Sequence, residues 1–248
     1  LQFTSAAEAR LVADLRFRAP ALIVPNGIDW FSFQRLPSGE LFRQRFLGGH
    51  DGPIVMHLGR ISHKKGLDIL IRAFARAAWQ RRLALLALVG PDDEGLTPRL
   101  RELANVEGVG DRVVFTGMLT GDDKRAALAA ADVWAAPSHT ENFGVAVVEA
   151  MAAGRAVIIS PAVNLAPEAD AAGAALVRPN TPDAFAEAIA ALLGDASRRE
   201  ELGRAARAFA RRYDWAAVAP KWAGLYERAL GLPALSEGEG PFGVRAAS

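Results

Sequence analysis

The chain contains no cysteine. Disulfides, thiolate nucleophiles and cysteine-ligated metals are therefore excluded, and nothing in the composition points to an oxidising compartment. No apolar run approaches the roughly 18 to 20 residues that span a bilayer. The longest candidate, "LALLALVG" at residues 83–90, is broken at once by "PDDE". Net charge is also small, +1 from 29 Lys and Arg against 28 Asp and Glu, which argues against a dedicated nucleic-acid binder. Neither a P-loop G-x-x-x-x-G-K-[ST] nor a G-x-S-x-G elbow occurs, which disfavours ATP or GTP hydrolysis and serine-hydrolase chemistry. What is present, 248 residues with 51% hydrophobic and 23% charged positions, is enough to bury a large core. A cytoplasmic setting is expected.

From residue 53 onward, short apolar runs alternate with helical patterns in the order of a parallel α/β sheet. Strands are expected near "PIVMHLG", "LALLALVG", "RVVFTG", "DVWAAPS", "RAVIIS" and "AALVRP". Helices are expected between them, at "GLDILIRAFARAAWQ", "TPRLRELANV", "DDKRAALAAA" and "FGVAVVEAMAA", and three more follow between residues 182 and 230. Such an α/β arrangement is a Rossmann-like, six-stranded parallel sheet with flanking helices, and its ligands bind at the carboxyl ends of the strands. The Arg-rich helix with Arg204, Arg207, Arg211 and Arg212 reads as a solvated face, with contact to anionic lipid as the alternative. Residues 1–29 offer one helix, "SAAEARLVADL", and one short strand, "ALIV", with no sheet to join. Because the chain also starts on Leu1, they are expected to be the remnant of a preceding N-terminal domain. Residues 30–52 are expected to be an interdomain linker, 53–230 the Rossmann-like domain, and 231–248 a mobile tail.

The stretch "HTENFGVAVVEAMAAG" sets Glu141 and Glu149 eight positions apart around the turn Asn142-Phe143-Gly144. Glu149 falls in a segment apolar all round, where a carboxylate needs donors. They would come from a lysine or arginine of another element or from a ligand diol. Ser138 and Glu141 match a capping box, but a helix starting there would enclose Gly144 at a cost of about 1 kcal/mol. A start near Gly144 and a stop at Gly154 fit better. Such a start exposes backbone N–H groups at the positive end of a helix, a ready anion site. In "GRISHKKG", Arg60 and Lys65 stand in a Gly-bounded turn and can converge on one diphosphate as a fork and a point charge. Two solvated loop cations are the alternative. His57 is expected to be core or pocket wall, and His139 an incidental loop histidine or a second contact to the pocket. Asp92, Asp93 and Glu94, like Asp122 and Asp123, suit a turn and a helix start rather than a metal site.

"PNGID", "GRISHKKG", "LVGPD", "VVFTG", "ADVWAAPS" and "ENFGVAVVEAMAAG", in this order and spacing, resemble the C-terminal, donor-binding domain of the group 1 glycosyltransferases, the retaining family 4 enzymes of the GT-B fold. The resemblance runs from about Thr4 to Leu230. It implies a nucleoside-diphosphate sugar as donor, no metal or other cofactor, and an acceptor held by an N-terminal domain across a cleft. It implies that Arg60 and Lys65 hold the diphosphate and that Glu149 accepts hydrogen bonds from the ribose hydroxyls. It further implies that Glu141 lies near the donor sugar, with the backbone of Asn142, Phe143, Gly144 and Val145 beside sugar and phosphates, and that Gly59, Gly90 with Pro91, and Gly117 with Met118 border the nucleotide. Asn142 stands where the family commonly has glycine, which leaves the sugar open. For the full-length enzyme, peripheral contact with the inner face of the cell membrane is a further expectation. A nucleotide-sugar epimerase of related fold and a non-enzymatic nucleotide-binding module are the competing readings.

Overall fold

The computed structural model describes residues 1–15, 21–78 and 83–231. Its first elements are β1 (Gln2–Phe3), α1 (Ala6–Leu11), β2 (Leu22–Ile23) and α2 (Gly39–Phe46). The sheet domain follows with β3 (Ile54–Leu58), α3 (Leu67–Ala77), β4 (Leu85–Val89), α4 (Thr97–Val106), β5 (Val113–Gly117), α5 (Gly121–Ala130) and β6 (Val133–Ala136). It continues through α6 (Val145–Ala152), β7 (Ala156–Ile159), α7 (Ala166–Ala171), β8 (Leu176–Val177), α8 (Pro182–Gly194), α9 (Ala196–Ala210) and α10 (Trp215–Leu230).

The six strands form one parallel sheet in the order β5-β4-β3-β6-β7-β8. The apolar runs specify it because alternate side chains serve opposite faces. In β3, Ile54, Met56 and Leu58 join one apolar cluster while Val55 joins the other; in β7, Val157 and Ile159 part from Ala156 and Ile158 in the same way. The first cluster is closed by α2, α5, α6 and α9 through Phe42, Leu128, Met151 and Phe209. The second is closed by α3, α4 and α8 through Phe74, Leu100 and Phe185. Each fully buried side chain of this size stabilises the fold by about 1.5 to 3 kcal/mol.

Every strand expected in the sheet forms, and so do the helices expected between them. Three of these elements were not expected, β1 among them. α2 lies in the stretch read as linker and buries Phe42 against the first cluster, and α7 lies between β7 and β8. The opening strand also has a partner after all: β1 and β2 pair in parallel as a two-stranded sheet, too short for alternation to reveal. This segment is tied to the domain by Trp222 Nε1, which donates to Pro25 O at 3.2 Å. A bridge between Ile28 and Asp214 ties it again. The last two residues of the expected helix at 66–80, and the tail beyond Gly231, lie outside the described residues. Among the described residues no helix is long and apolar enough to cross a membrane.

Candidate functional site

Neighbouring strands β3 and β6 lead to α3 and α6, which pack on opposite faces of the sheet. The strand order reverses there, and such a point opens a crevice at the carboxyl ends of the strands. The loops after these strands are stitched together. His139 N donates to Lys64 O at 2.8 Å. Gly66 has φ +61°, and a Cβ there would stand 2.1 Å from Pro137 O, so only glycine fits. Gly144, with φ +75°, is the N-cap of α6, and the first N–H groups of the helix have no intrahelical acceptors. The capping box does not form: Ser138 Oγ is buried without a partner. Glu141 instead makes a bridge to Val163, its N–H donating to Ala162 O at 3.1 Å and its carbonyl accepting from Asn164 N at 3.0 Å.

These loops enclose a cavity of about 340 Å³. Arg60, Lys65 and the turn Glu141–Val145 line it. Lys65 Nζ and Glu141 Oε2 form an ion pair, with side-chain exposures of 17% and 20%. Thr4 and Asn26 of the opening segment complete the wall. His57 and Trp134 also line the cavity, and they stack with ring centroids 5.7 Å apart. His57 Nδ1 lies 3.0 Å from Ala135 O. A carbonyl only accepts, so Nδ1 carries the proton and Nε2 is bare in the neutral ring. Burial, aided by the charge of Lys65, pushes the pKa of His57 down to about 4 against the opposing effect of the Ala135 bond. His57 Nε2 and Trp134 Nε1, like Ser138 Oγ, are buried without a hydrogen-bond partner.

Of the residues singled out in the sequence, Arg60, Lys65, Glu141, Asn142, Phe143, Gly144 and Val145 meet at this cavity. The Phe143 ring is itself core, edge-on to Tyr213 at 5.2 Å. Gly59, Gly90, Gly117, Met118 and Glu149 do not line it. The three glycines sit together at neighbouring strand ends: Gly90 N donates to Gly117 O at 2.9 Å, and a Cβ on Gly90 would stand 1.9 Å from Gly59 O. Met118 is exposed. Glu149 is 15% exposed and accepts from Lys124 Nζ at 2.7 Å, so in this structure its donor is a protein cation on α5. Lys124 went unnoticed because nothing local marks a partner 25 positions away. Thr4 carried no motif, while Asn26 in "PNGID" and Trp134 in "ADVWAAPS" lay within quoted motifs without being singled out as cavity residues. His139 belongs to a neighbouring cavity of about 330 Å³ with His63, Arg72 and Arg99. Of the acidic residues, Asp92 accepts from Leu96 N and Thr97 N at the start of α4 and Asp122 pairs with Arg125 in α5, whereas Glu94 accepts from His63 N at 2.9 Å and Asp123 pairs with Arg45 of α2.

The sequence pattern of the family described as "Glycosyl transferases group 1" matches residues 40–209. Among curated relatives, D-inositol 3-phosphate glycosyltransferase of Salinispora tropica is 37% identical over 78% of this chain and 43% of its own length. The protein of that name in Kineococcus radiotolerans is 32% identical over 95% of this chain and 58% of its own. The chain thus spans about half the length of these relatives. Among solved structures, sucrose-phosphate synthase from Thermosynechococcus elongatus superposes with a TM-score of 0.81 at 28% identity, over 93% of this chain and 58% of that one. HepE of Anabaena, solved with UDP and glucose, gives 0.81 at 25% identity over 93% and 63%. With its family pattern, its relatives and its GT-B neighbours in agreement, this chain belongs to the group 1 glycosyl transferases.

Proposed function

We propose that this chain is the donor-binding part of a retaining, metal-independent glycosyltransferase that uses a nucleoside-diphosphate sugar. The observation that carries the reading is the cavity at the strand-order reversal, where Arg60 and Lys65 meet Glu141 and the N-terminus of α6. Arg60 and Lys65 take the diphosphate, with Lys65 turning from Glu141 to the phosphate oxygens. These cations and the first N–H groups of α6 stabilise the negative charge that grows on the leaving nucleoside diphosphate. Glu141 and the backbone of Asn142–Val145 border the sugar; Gly59, Gly90, Gly117 and Met118 border the nucleoside. Glu149 exchanges Lys124 for the ribose diol. That HepE was solved with UDP and glucose supports a nucleotide sugar as ligand class. The acceptor is held by a domain preceding residues 1–29. The enzyme works in the cytoplasm, with peripheral contact to the inner face of the membrane.

The chain covers about half of its relatives' length, which favours a second statement: by itself it binds donor and does not transfer sugar. Calorimetric titration with UDP-, GDP- and ADP-sugars in excess chelator tests the site. Binding of one of them without metal is the expected result. Binding that needs magnesium or manganese overturns metal independence, and no binding in either condition overturns the donor site. Efficient transfer to an acceptor by this chain alone overturns the division of labour.

A further inference from the structure

The opening segment does more than pack beside the domain. Ser5 is the N-cap of α1, its Oγ accepting from Glu8 N at 3.1 Å, and Glu8 stands at the third helical position, as in a capping box. Glu8 Oε2 serves that local purpose, accepting from Thr4 N and Thr4 Oγ1 at 2.6 Å each. The other oxygen leaves the helix: Oε1 accepts from Asn142 Nδ2 at 2.7 Å, across 134 positions. Asn142 Oδ1 in turn accepts from Asn164 Nδ2 at 3.2 Å. Burial raises the pKa of Glu8, but the Thr4 and Asn142 donors outweigh it and hold the carboxyl below its usual value.

The Asn142 amide is thus gripped from both ends. A carboxylate accepts only, so the end facing Glu8 must be the NH₂, and the flip is decided. One N–H and one carbonyl lone pair remain free, a donor and an acceptor side by side, which suits a polyol. Asn142 lines the cavity, and so do Thr4 and Asn26 of the segment that carries Glu8. The Glu8 contact is exposed, where such bonds contribute little stability, so its consequence is geometric.

We propose that Glu8 and Asn164 are positioning residues that fix the Asn142 amide, so that the segment before the sheet domain helps to read the sugar of the donor; this rests on the donor site proposed above. Holding a side chain in its bound orientation removes an ordering cost that corresponds to about two- to tenfold in affinity. The test is calorimetric titration of the whole chain with UDP and with UDP-glucose, in the wild type, Glu8→Ala, Asn164→Ala, Asn142→Ala and the Glu8→Ala/Asn142→Ala double variant. Glu8→Ala and Asn164→Ala are expected to weaken UDP-glucose by about two- to tenfold and leave UDP within about twofold. Glu8→Ala is expected to add nothing to Asn142→Ala, because the effect runs through that amide. Asn164→Ala leaves the α1 cap intact and carries the test if Glu8→Ala fails to fold. Equal losses for both ligands, no loss, or a loss that persists without the Asn142 amide would overturn the inference while leaving the donor site standing. If the wild type prefers GDP or ADP, the same variants are titrated with that nucleotide and its glucose ester; a wild type that binds none of the three overturns the donor site, and the inference falls with it.

Discussion

The rim and the floor of the cavity treat polar groups in opposite ways. At the rim, Lys65 and Glu141 pair with each other while partly exposed, and a pair in that setting gains little net energy. It can therefore exchange partners with an incoming anion at small cost. On the floor, His57 and Trp134 hold buried polar atoms that have no partner, and the imidazole is kept neutral by burial. Such groups cost stability rather than supply it. The difference teaches that two neighbouring layers of one pocket answer to different measurements: the rim to ligand affinity, the floor to folding stability and its pH dependence.

The floor gives the largest expected effect. Above about pH 6.5, His57 is neutral in both folded and unfolded chains. Below it, the unfolded chain takes up a proton that the folded chain, with the pKa pushed down to about 4, refuses. Stability therefore falls as pH drops from 6.5 towards 4 and levels off below, a loss approaching about 3 kcal/mol. Chemical denaturation of the wild type and His57→Phe across this range checks it. The variant should lose that component of the slope, and an unchanged slope would show that His57 does not cause it.

The rim comes next. Arg60→Ala or Lys65→Ala is expected to weaken nucleoside diphosphate binding by about ten- to a hundredfold, the loss of charge-assisted bonds worth roughly 1.5 to 3 kcal/mol. The uncharged nucleoside should be bound nearly as before, and the thermal midpoint should move little. If diphosphate and nucleoside suffer alike, the two cations are structural, and the contrast between rim and floor disappears.

A smaller effect separates the two glutamates. Glu149→Gln should weaken a ribonucleotide by about fivefold and its 2′,3′-dideoxy analogue hardly at all, since a carboxylate acceptor is stronger than an amide by about 1 kcal/mol. Comparable losses for both would make Glu149 a partner of Lys124 and nothing more. The smallest expected change is in the stability of Lys124→Met, below about 1 kcal/mol by urea denaturation. A loss of several kcal/mol would mean that Glu149 depends on this lysine for its place in the fold.

Much of the fold was legible because its code is local. The apolar runs that became β3 to β8 alternate between the two sheet faces, and Gly144 and Gly154 mark the start and stop of α6 where left-handed backbone is needed. α2 was less visible because it lies in a stretch read as linker, with Phe42 as its one buried residue. The strands β1 and β2 have two residues each, too few for any period to show. At the site, "GRISHKKG" and the two-glutamate stretch announced their cavity residues, since a phosphate loop follows its strand directly. Lys124 and Glu8 announced nothing, and Trp134 stood unremarked within "ADVWAAPS".

By itself, the sequence determined the order of strands and helices, the loops that bear the cations and the position of the helix end that faces them. All of these rest on backbone preference and on which side of an element each residue faces, properties that neighbours along the chain decide. The tertiary structure alone decided that Glu141 meets Lys65, 76 positions earlier, that Glu149 meets Lys124, and that Glu8 reaches Asn142. It also stacked His57 on Trp134. Each of those partners is chosen by strand order and by the close approach of loops from different crossovers, and the free energy that fixes it is the burial of the two apolar clusters, a property of the whole chain.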